Sequence, residues 1–232
     1  MTRSSEPPGT VLSVAPAQHG SAEDAELVAS ASDWARIGAC LVDLDPHPGL
    51  AETAGALRER EGLLVRAGVA AAEQLPAVLD AGPHALRLSP AAEFAADARA
   101  GAQERGIAVH HEVRTAAELS ALREAPAAEH VVLVFGAGLD GDLPGLAAAA
   151  EQLPGVPATA TGLGESAIPV LLTAIAAGWH VRTGSADHPG RAPGSAGRDD
   201  TQLVARAAGI AKIARRPPLP PAQAAAALGI KT

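Results

Sequence analysis

Two carboxylates, Asp43 and Asp45, lie two residues apart at the end of a continuously apolar run. Alternate residues of a β-strand point to the same side, so a strand here places both carboxylates together. Such a pair can bind a divalent cation through oxygen or share a proton. The alternative is that Asp43 pairs with Arg66 or Arg182 inside the protein, while Asp45 caps a turn. Asp43 and Asp45 are therefore candidate metal ligands, with ion pairing as the competing interpretation.

An arginine stands inside the last apolar segment of the chain. Arg182 lies two residues before Gly184, and a guanidinium in a buried strand needs a carboxylate partner or a ligand. We predict that Arg182 binds the anionic group of a substrate. Asp187 and Ser89 also lie where apolar segments end, which is where parallel α/β proteins gather their catalytic and binding groups.

Two glycine-rich segments follow apolar runs. Gly162 and Gly164 lead into a helix, as phosphate-binding loops do in barrels, and Gly136 opens a flexible stretch that ends at Asp142. Glu165 opposes an anion in the first of these loops, because its negative side chain would compete with it. Gly136, Gly162 and Gly164 are candidate substrate-binding residues. The competing interpretation is that they only form tight turns.

A further group of ionisable residues is His110-His111-Glu112. Strand alternation puts His110 and Glu112 on one side, where they could join Asp43 and Asp45 in a ligand set. Adjacent histidines are a weak signal for a metal site, so this set remains secondary to the aspartate pair.

These residues must be positioned by elements that recur along the chain. Apolar, β-capable segments return every roughly 21 to 28 residues, enough for one strand, one helix and two short loops. They begin near Val11, Ala39, Leu63, Ala85, Ile107, Val131, Val156 and Trp179. Between them lie helical segments, such as residues 166–177 with Pro169 in the first turn and Gly178 just past the end. Eight units predict a single-domain α/β fold of the (β/α)8 TIM-barrel type; an open doubly wound sheet is the alternative.

The chain divides into three parts. Residues 1–10 are polar and Pro-rich, which predicts a flexible N-terminus. Residues 11–216 form the barrel. Residues 217–232 begin with a Pro-rich run and end in a short Ala-rich helix, and we expect this tail to pack on the barrel or on a neighbouring subunit.

Composition excludes several functional classes. The formal net charge is −8, with two Trp, two Phe and no Tyr, so the chain offers neither a basic stripe nor a stacking surface for nucleic acid. A negative field disfavours anionic membranes, and no apolar run approaches the ~18–20 residues that span a bilayer. Residues 1–10 lack the apolar stretch of a signal peptide, and the single cysteine, Cys40, excludes an internal disulfide. We predict a cytoplasmic protein.

Several segments resemble the β-keto acid cleavage enzymes, the family that includes 3-keto-5-aminohexanoate cleavage enzyme. The match is closest over about the last 80 residues and carries upstream mainly as the order of elements. The matching segments are Gly162-Leu163-Gly164-Glu165, Gly178-Trp179-His180-Val181-Arg182-Thr183-Gly184, Thr201-Gln202-Leu203-Val204-Ala205-Arg206 and the tail from Pro220 to Gly229. The resemblance implies a (β/α)8 barrel that transfers an acyl group between a β-keto acid and acetyl-CoA, giving acetoacetate and a new CoA ester. It also implies a homo-oligomer, a dimer or tetramer.

In this family a zinc ion held by two histidines and a glutamate polarises the keto acid, and an arginine and an aspartate assist. By position, Arg182 corresponds to that arginine and Asp187 to that aspartate. The resemblance implies that Asp187 acts as a general base or orients one. By the same resemblance, Asp43 and Asp45 stand in place of the two histidines and Ala186 in place of the glutamate. Two carboxylates suit magnesium or manganese better than zinc, and alanine supplies no ligand. The resemblance thus implies carbon–carbon cleavage of a small keto acid with altered or lost metal dependence. The alternative is a catalytically silent homologue that binds a ligand or stabilises a partner subunit.

Overall fold

The computed structural model describes residues 9–17, 21–125, 127–153, 158–187 and 196–231. Eight parallel strands in these ranges each pair with the next, and the last pairs with the first, so that the sheet closes into a barrel. The strands are β1 (Leu12–Val14), β2 (Leu41–Leu44), β3 (Leu64–Gly68), β4 (Ala85–Leu88), β5 (Ala108–Thr115), β6 (His130–Gly138), β7 (Ala158–Gly162) and β8 (His180–Thr183). The predicted TIM barrel is confirmed, and the doubly wound alternative is excluded. Residues 1–8 of the predicted flexible N-terminus lie outside the described residues.

Helices follow the strands and cover the outside of the barrel, and a last helix lies in the C-terminal tail. They are α1 (Ser21–Ile37), α2 (Leu50–Glu61), α3 (Leu75–Asp80), α4 (Ala95–Glu104), α5 (Ala116–Ala121), α6 (Leu143–Gln152), α7 (Ala167–Ala177), α8 (Ala196–Ile213) and α9 (Pro221–Ala227). None of the helices in the described ranges combines the length and the apolar character needed to cross a membrane.

Helix α7 illustrates how the local sequence sets these bounds. Pro169 lies in its first turn, where a missing backbone N–H costs nothing. Gly178 ends the helix with a φ of 92°, and its N–H donates to the carbonyls of Ala174 and Ile175. A residue with a side chain is strained at this φ, so the glycine terminates the helix and directs the chain into β8.

Two apolar regions hold the fold together. The larger lies between the strands and the surrounding helices and contains fully buried side chains such as Trp34 and Phe135. The smaller closes the N-terminal end of the barrel, where Leu41 packs with Leu228 and Ile230 of the C-terminal tail. The tail thus lies across the bottom of the barrel, and the opposite end, where the strands end, is left for a site.

Candidate active site

The side chains that point into the barrel above the tail are charged. Three strands, β2, β3 and β4, each bury one charged residue: Asp43, Arg66 and Arg87. Each of them comes two residues after an apolar residue that packs against the C-terminal tail. Those apolar residues are Leu41, Leu64 and Ala85. Because alternate residues share a side, the pattern puts the three charges in one layer. This barrel therefore encloses ions where many TIM barrels have layers of Val, Ile and Leu.

Asp43 and Arg66 form a bidentate ion pair in that layer. Strand pairing sets the two residues side by side in β2 and β3. Arg66 Nε and Nη2 donate to Asp43 Oδ1 and Oδ2 at 2.6 and 2.7 Å. Burial would raise the pKa of Asp43, but Arg66, with smaller contributions from Arg182 and Arg87, holds the pKa below its usual range. Asp43 is therefore an anion whose two oxygens both accept from a guanidinium.

Glu112 in β5 accepts from three arginines. Arg182 Nη1 donates to its Oε2 at 2.8 Å, Arg114 Nε donates to its Oε1 at 2.8 Å, and Arg87 Nη1 also donates to Oε2. Burial opposes ionisation, but the three guanidiniums outweigh it and hold the pKa of Glu112 well below its usual range. Glu112 is thus the point at which β4, β5 and β8 are joined through charged side chains.

Arg182 and Asp187 form the second bidentate pair. Arg182 Nη2 and Nε donate to Asp187 Oδ1 and Oδ2 at 2.8 and 3.1 Å, and the Thr161 hydroxyl donates to Oδ2 at 2.9 Å. Both side chains are almost completely enclosed, with 2% and 4% of their surface exposed. Burial would lower the pKa of Arg182, but Asp187, Glu112 and Asp43 raise it well above its usual value. Arg182 and Asp187, the two residues that the resemblance assigns to the site, are therefore paired with one another, and Arg182 also with Glu112.

A layer of neutral histidines lies below the ions. His110 accepts from Arg66 Nη1 at Nδ1 (3.2 Å) and donates from Nε2 to the Leu228 carbonyl (2.9 Å). The His130 ring lies 5.3 Å from that of His110 and 5.9 Å from that of His180, centroid to centroid. Burial lowers the pKa of His110 to about 3 and that of His180 to about 4, and that of His130 well below its usual value. His110 thus contacts the C-terminal tail on one side and an arginine on the other.

A cleft of about 470 Å³ opens at the carboxyl ends of β2 to β5. Its charged and polar lining is Asp45, Arg87, Ser89, Glu112, Arg114 and Glu118. The Asp45 side chain is 67% exposed and accepts from Arg87 Nη2 at 2.7 Å. The Ser89 hydroxyl donates to Glu118 Oε1 at 2.7 Å. Among the described residues, neither Arg182 nor Asp187 lines this cleft, and Arg182 is connected to it through Glu112.

The residues that the resemblance places at the zinc-ligand positions do not fit a metal ion. Both oxygens of Asp43 accept from Arg66, and Arg87 Nε lies 3.4 Å from Oδ1. Asp45 is bound to Arg87, and Ala186 has no donor atom. Within the described ranges no three His, Cys, Asp or Glu side chains are arranged to hold a cation. Ion pairing, the competing interpretation of the aspartate pair, is what the side chains form here.

The glycine segments pack closely against one another. A Cβ on Gly162 would lie 2.3 Å from the Ser166 carbonyl oxygen, and one on Gly136 would lie 3.1 Å from Ser166 Oγ and from the Leu163 oxygen. Gly164 has a φ of 55° with open space around its Cβ position. Close approach and backbone conformation therefore account for these three glycines, and none of them lines the cleft.

The structure brings Asp45 and Ser89 of the predicted site to the cleft and adds three charged residues that sequence reasoning missed, Arg87, Arg114 and Glu118. Arg87 interrupts the apolar strand Ala85-Leu86-Arg87-Leu88, the same signal that drew attention to Arg182. Arg114 carries no such signal, because it lies at the exposed end of β5.

A closed barrel of eight parallel strands, with a polar cleft at the carboxyl ends, places the protein among the TIM barrels. The family model described as beta-keto acid cleavage enzyme matches residues 89–230, which is more than half of the chain. The chain belongs to the beta-keto acid cleavage enzyme family. A comparison with curated proteins found no match.

Solved structures with the same fold include lyases and aldolases. The native KDPGal structure is 19% identical, with a TM-score of 0.65, over 93% of this chain and 99% of that one. The 2-keto-3-deoxy-6-phosphogluconate aldolase of Zymomonas mobilis ZM4 is 20% identical, with a TM-score of 0.60, over 88% and 93%. The HMG-CoA lyase of Bacillus subtilis is 13% identical, with a TM-score of 0.62, over 91% and 96%. At these identities the likeness establishes the fold alone.

Proposed function

We propose that this protein cleaves a carbon–carbon bond of a small β-keto acid, with acetyl-CoA as the acyl partner. The observation that carries the proposal is the family match over residues 89–230, which includes Glu112, Arg182 and Asp187. The cleft beside Glu112, at about 470 Å³, has room for a small acid. TIM-barrel enzymes carry their catalytic groups at this end of the barrel.

The reaction needs a group that accepts a proton from the keto acid, and we assign this role to Asp45. Its side chain is 67% exposed in the cleft, against 9% for Glu112, and Arg87 holds it in place. Glu112 is a weak base because three guanidiniums stabilise its ionised form. In this proposal Asp187 orients Arg182, and Arg182 orients Glu112, so that the retained pair acts as a positioning group.

The test is an assay of the purified protein with a panel of short β-keto acids, with and without acetyl-CoA. Acetoacetate and the new CoA ester are measured by mass spectrometry. Asp45→Asn should lower turnover by at least about a hundredfold, the usual scale for loss of a general base. Asp80→Asn is the matched control, because Asp80 is exposed on an outer helix and Arg105 is its one ion-pair partner among the described residues. The proposal is overturned if no acid in the panel yields a cleavage product.

A catalytically silent homologue is the second candidate, and a specific observation favours it. Arg66 and Arg87 occupy the donor atoms of Asp43, so the polarising metal of the family has no ligand set among the described residues. A silent homologue would bind a keto acid in the cleft without converting it. Calorimetric binding of acetoacetate in the absence of any turnover is the result that distinguishes this candidate from the enzyme.

Assembly into a homo-oligomer, a dimer or tetramer, is part of the same proposal. The outer surfaces of α6 and α7 expose Leu143 (65%), Leu172 (48%) and Ile168 (36%), and apolar side chains grouped on neighbouring helices favour contact with another subunit. Light scattering of the purified protein, together with Leu172→Glu, tests this. A monomer for the unmodified chain would contradict it.

We also propose a cytoplasmic location. Cys40 is buried, and burial raises the pKa of its thiol to about 12, so the one cysteine is protected and forms no disulfide within the chain. Fractionation of cells expressing the tagged protein is the corresponding measurement, and recovery outside the cytoplasm would contradict the proposal.

A further inference from the structure

The three buried arginines of the barrel differ in how much the fold depends on them. Arg66 is the bidentate partner of Asp43, and Arg182 is the bidentate partner of Asp187. Without either of them, a buried carboxylate would lose both of its charge-assisted hydrogen bonds. Such a loss is strongly destabilising.

Arg87 is different, because each of its carboxylate partners has another means of stabilisation. Glu112 keeps Arg182 and Arg114, Asp43 keeps Arg66, and Asp45 is largely exposed to water. Burying the Arg87 guanidinium nevertheless costs free energy of desolvation. Arg87 is therefore a buried cation that its three carboxylate partners do not need, because each of them is paired with another arginine or exposed to water.

Arg87 is also the buried arginine that reaches the cleft. It lines the cleft together with Arg114, whose side chain is 46% exposed. Gly68 makes room for it: a Cβ on Gly68 would lie 2.9 Å from Arg87 Nη2 and 3.2 Å from Asp45 Oδ1. The missing side chain at this position keeps the cleft open above the guanidinium.

The two arginines already converge on one carboxylate. Arg87 Nη1 donates to Glu112 Oε2, while Arg114 Nε donates to Oε1 at 2.8 Å. The spacing of Arg87 Nη1 and Arg114 Nε thus matches the width of a carboxylate group. Arg114 contacts Glu112 through Nε, so its terminal nitrogens are not hydrogen-bonded to that residue. Guanidinium groups bind carboxylates through two parallel hydrogen bonds, which favours a planar anion in the cleft over a spherical one.

We propose that Arg87 and Arg114 bind the carboxylate of the substrate, so that guanidinium groups and not a divalent cation supply the positive charge of the site. The identity of the acid rests on the proposed function, whereas carboxylate binding by this arginine pair does not require turnover. Arg182, which is enclosed by Asp187 and Glu112, then positions Glu112 and does not contact the substrate.

The test is calorimetric titration of acetoacetate into the protein after dialysis against EDTA, compared with the undialysed protein. Equal affinities are expected. Arg87→Gln and Arg114→Gln should each weaken binding by about tenfold to a hundredfold, the scale for loss of a charge-assisted hydrogen bond. Arg87→Lys should recover part of the loss, because it restores the charge but not the planar geometry. Arg105→Gln is the matched control: Arg105 directly follows α4 and pairs with Asp80, and this variant should bind as the unmodified protein does.

Arg114→Gln keeps the test decisive if Arg87→Gln fails to fold, because Arg114 is half exposed and its side chain bonds to Glu112 alone among the described residues. Unchanged affinity in the Arg114 and Arg87 variants overturns the inference, as does binding that EDTA abolishes or a protein that binds no acetoacetate. Arginine-dependent binding without turnover leaves the inference standing and overturns the proposed activity.

Discussion

His110 and Leu228 are joined by a hydrogen bond that links the barrel interior to the C-terminal tail. His110 Nε2 donates to the Leu228 carbonyl at 2.9 Å, and the two residues are 118 positions apart in the chain. The donor is Nε2 because Nδ1 faces the Arg66 guanidinium, which can only donate. The tail is thereby fixed to the layer directly below the buried ions.

Removing the Leu228 side chain tests how much the tail stabilises the barrel. Leu228 is 1% exposed and packs in the apolar region with Leu41 and Ile230. Leu228→Ala should lower the free energy of unfolding by about 2–5 kcal/mol, as for other large-to-small changes in cores. Gln223→Ala, at an exposed position of α9, is the control and should change it by less than about 0.5 kcal/mol. Equal urea midpoints for the two variants would show that the tail is not part of the cooperative unit.

Acidification should destabilise the protein through its buried histidines. The folded pKa values of His110 and His180 are lowered to about 3 and about 4, and that of His130 is also lowered, whereas unfolded histidine titrates near 6.5. The unfolded chain therefore binds more protons below pH 6.5. Stability is complete above that pH and decreases as pH falls toward 4, by up to about 1.4 kcal/mol per pH unit for each histidine.

Urea unfolding at pH 7.5, 6 and 5 measures this dependence. The carboxylates of the ion network contribute little in this window, because unfolded Asp and Glu titrate near 4. His180→Asn should reduce the slope between pH 6 and 5. A free energy of unfolding that stays constant from pH 7.5 to 5 would contradict neutral burial of these rings.

The pair of Asp43 and Arg66 should be among the most sensitive points of the fold. Asp43→Asn preserves shape but leaves the fully buried Arg66 guanidinium without its bidentate partner, so we expect a loss of about 3–5 kcal/mol in unfolding free energy. Asp45→Asn is the matched control, because Asp45 is 67% exposed and should cost no more than about 1 kcal/mol. If Asp43→Asn is as stable as the unmodified protein, the Asp43–Arg66 pair does not stabilise the folded state.

Gly162 separates a packing role from a ligand-binding role. In Gly162→Ala the new Cβ would meet backbone atoms, 2.3 Å from the Ser166 oxygen and 2.9 Å from the Ala167 Cα, so the loop must shift. We expect a loss of about 1–3 kcal/mol with acetoacetate affinity unchanged. Gly55→Ala, in α2 with nothing within 4 Å, should instead stabilise the protein slightly. Full stability with lost affinity would return Gly162 to the substrate site.

The sequence was sufficient for the barrel because its signals are local and repeated. Runs such as Val131–Phe135 are buried on both faces, and each is followed by a helix with its own start and stop residues. Eight repeats of this kind leave few other parallel folds. The helix predicted over 166–177 begins one residue later, at Ala167, and ends at Ala177, because Gly178 fixes its end.

The site was less predictable because its contacts cross strands. Asp43 had two candidate partners, and the choice of Arg66 depends on the register of β2 against β3, which no local pattern reveals. Arg87 reaches Glu112, 25 residues away, in the next strand. Sequence reasoning also left two places for the tail, since its apolar residues fit either a barrel end or another subunit; the described residues place it on the barrel.

The buried ions of this barrel also constrain how its sequence can change over generations. Three guanidiniums and three carboxylates, those of Arg66, Arg87, Arg182, Asp43, Glu112 and Asp187, neutralise each other inside the barrel. An exchange that removes one member of the Asp43–Arg66 pair or of the Arg182–Asp187 pair leaves a buried charge without its bidentate partner, so these positions can diverge only by coordinated pairs of mutations. On the exposed faces of the described outer helices, ion pairs such as Asp33–Arg36 lie in water and couple positions only weakly. Descendants of this chain should therefore diversify on the outside of the barrel long before the charged interior changes.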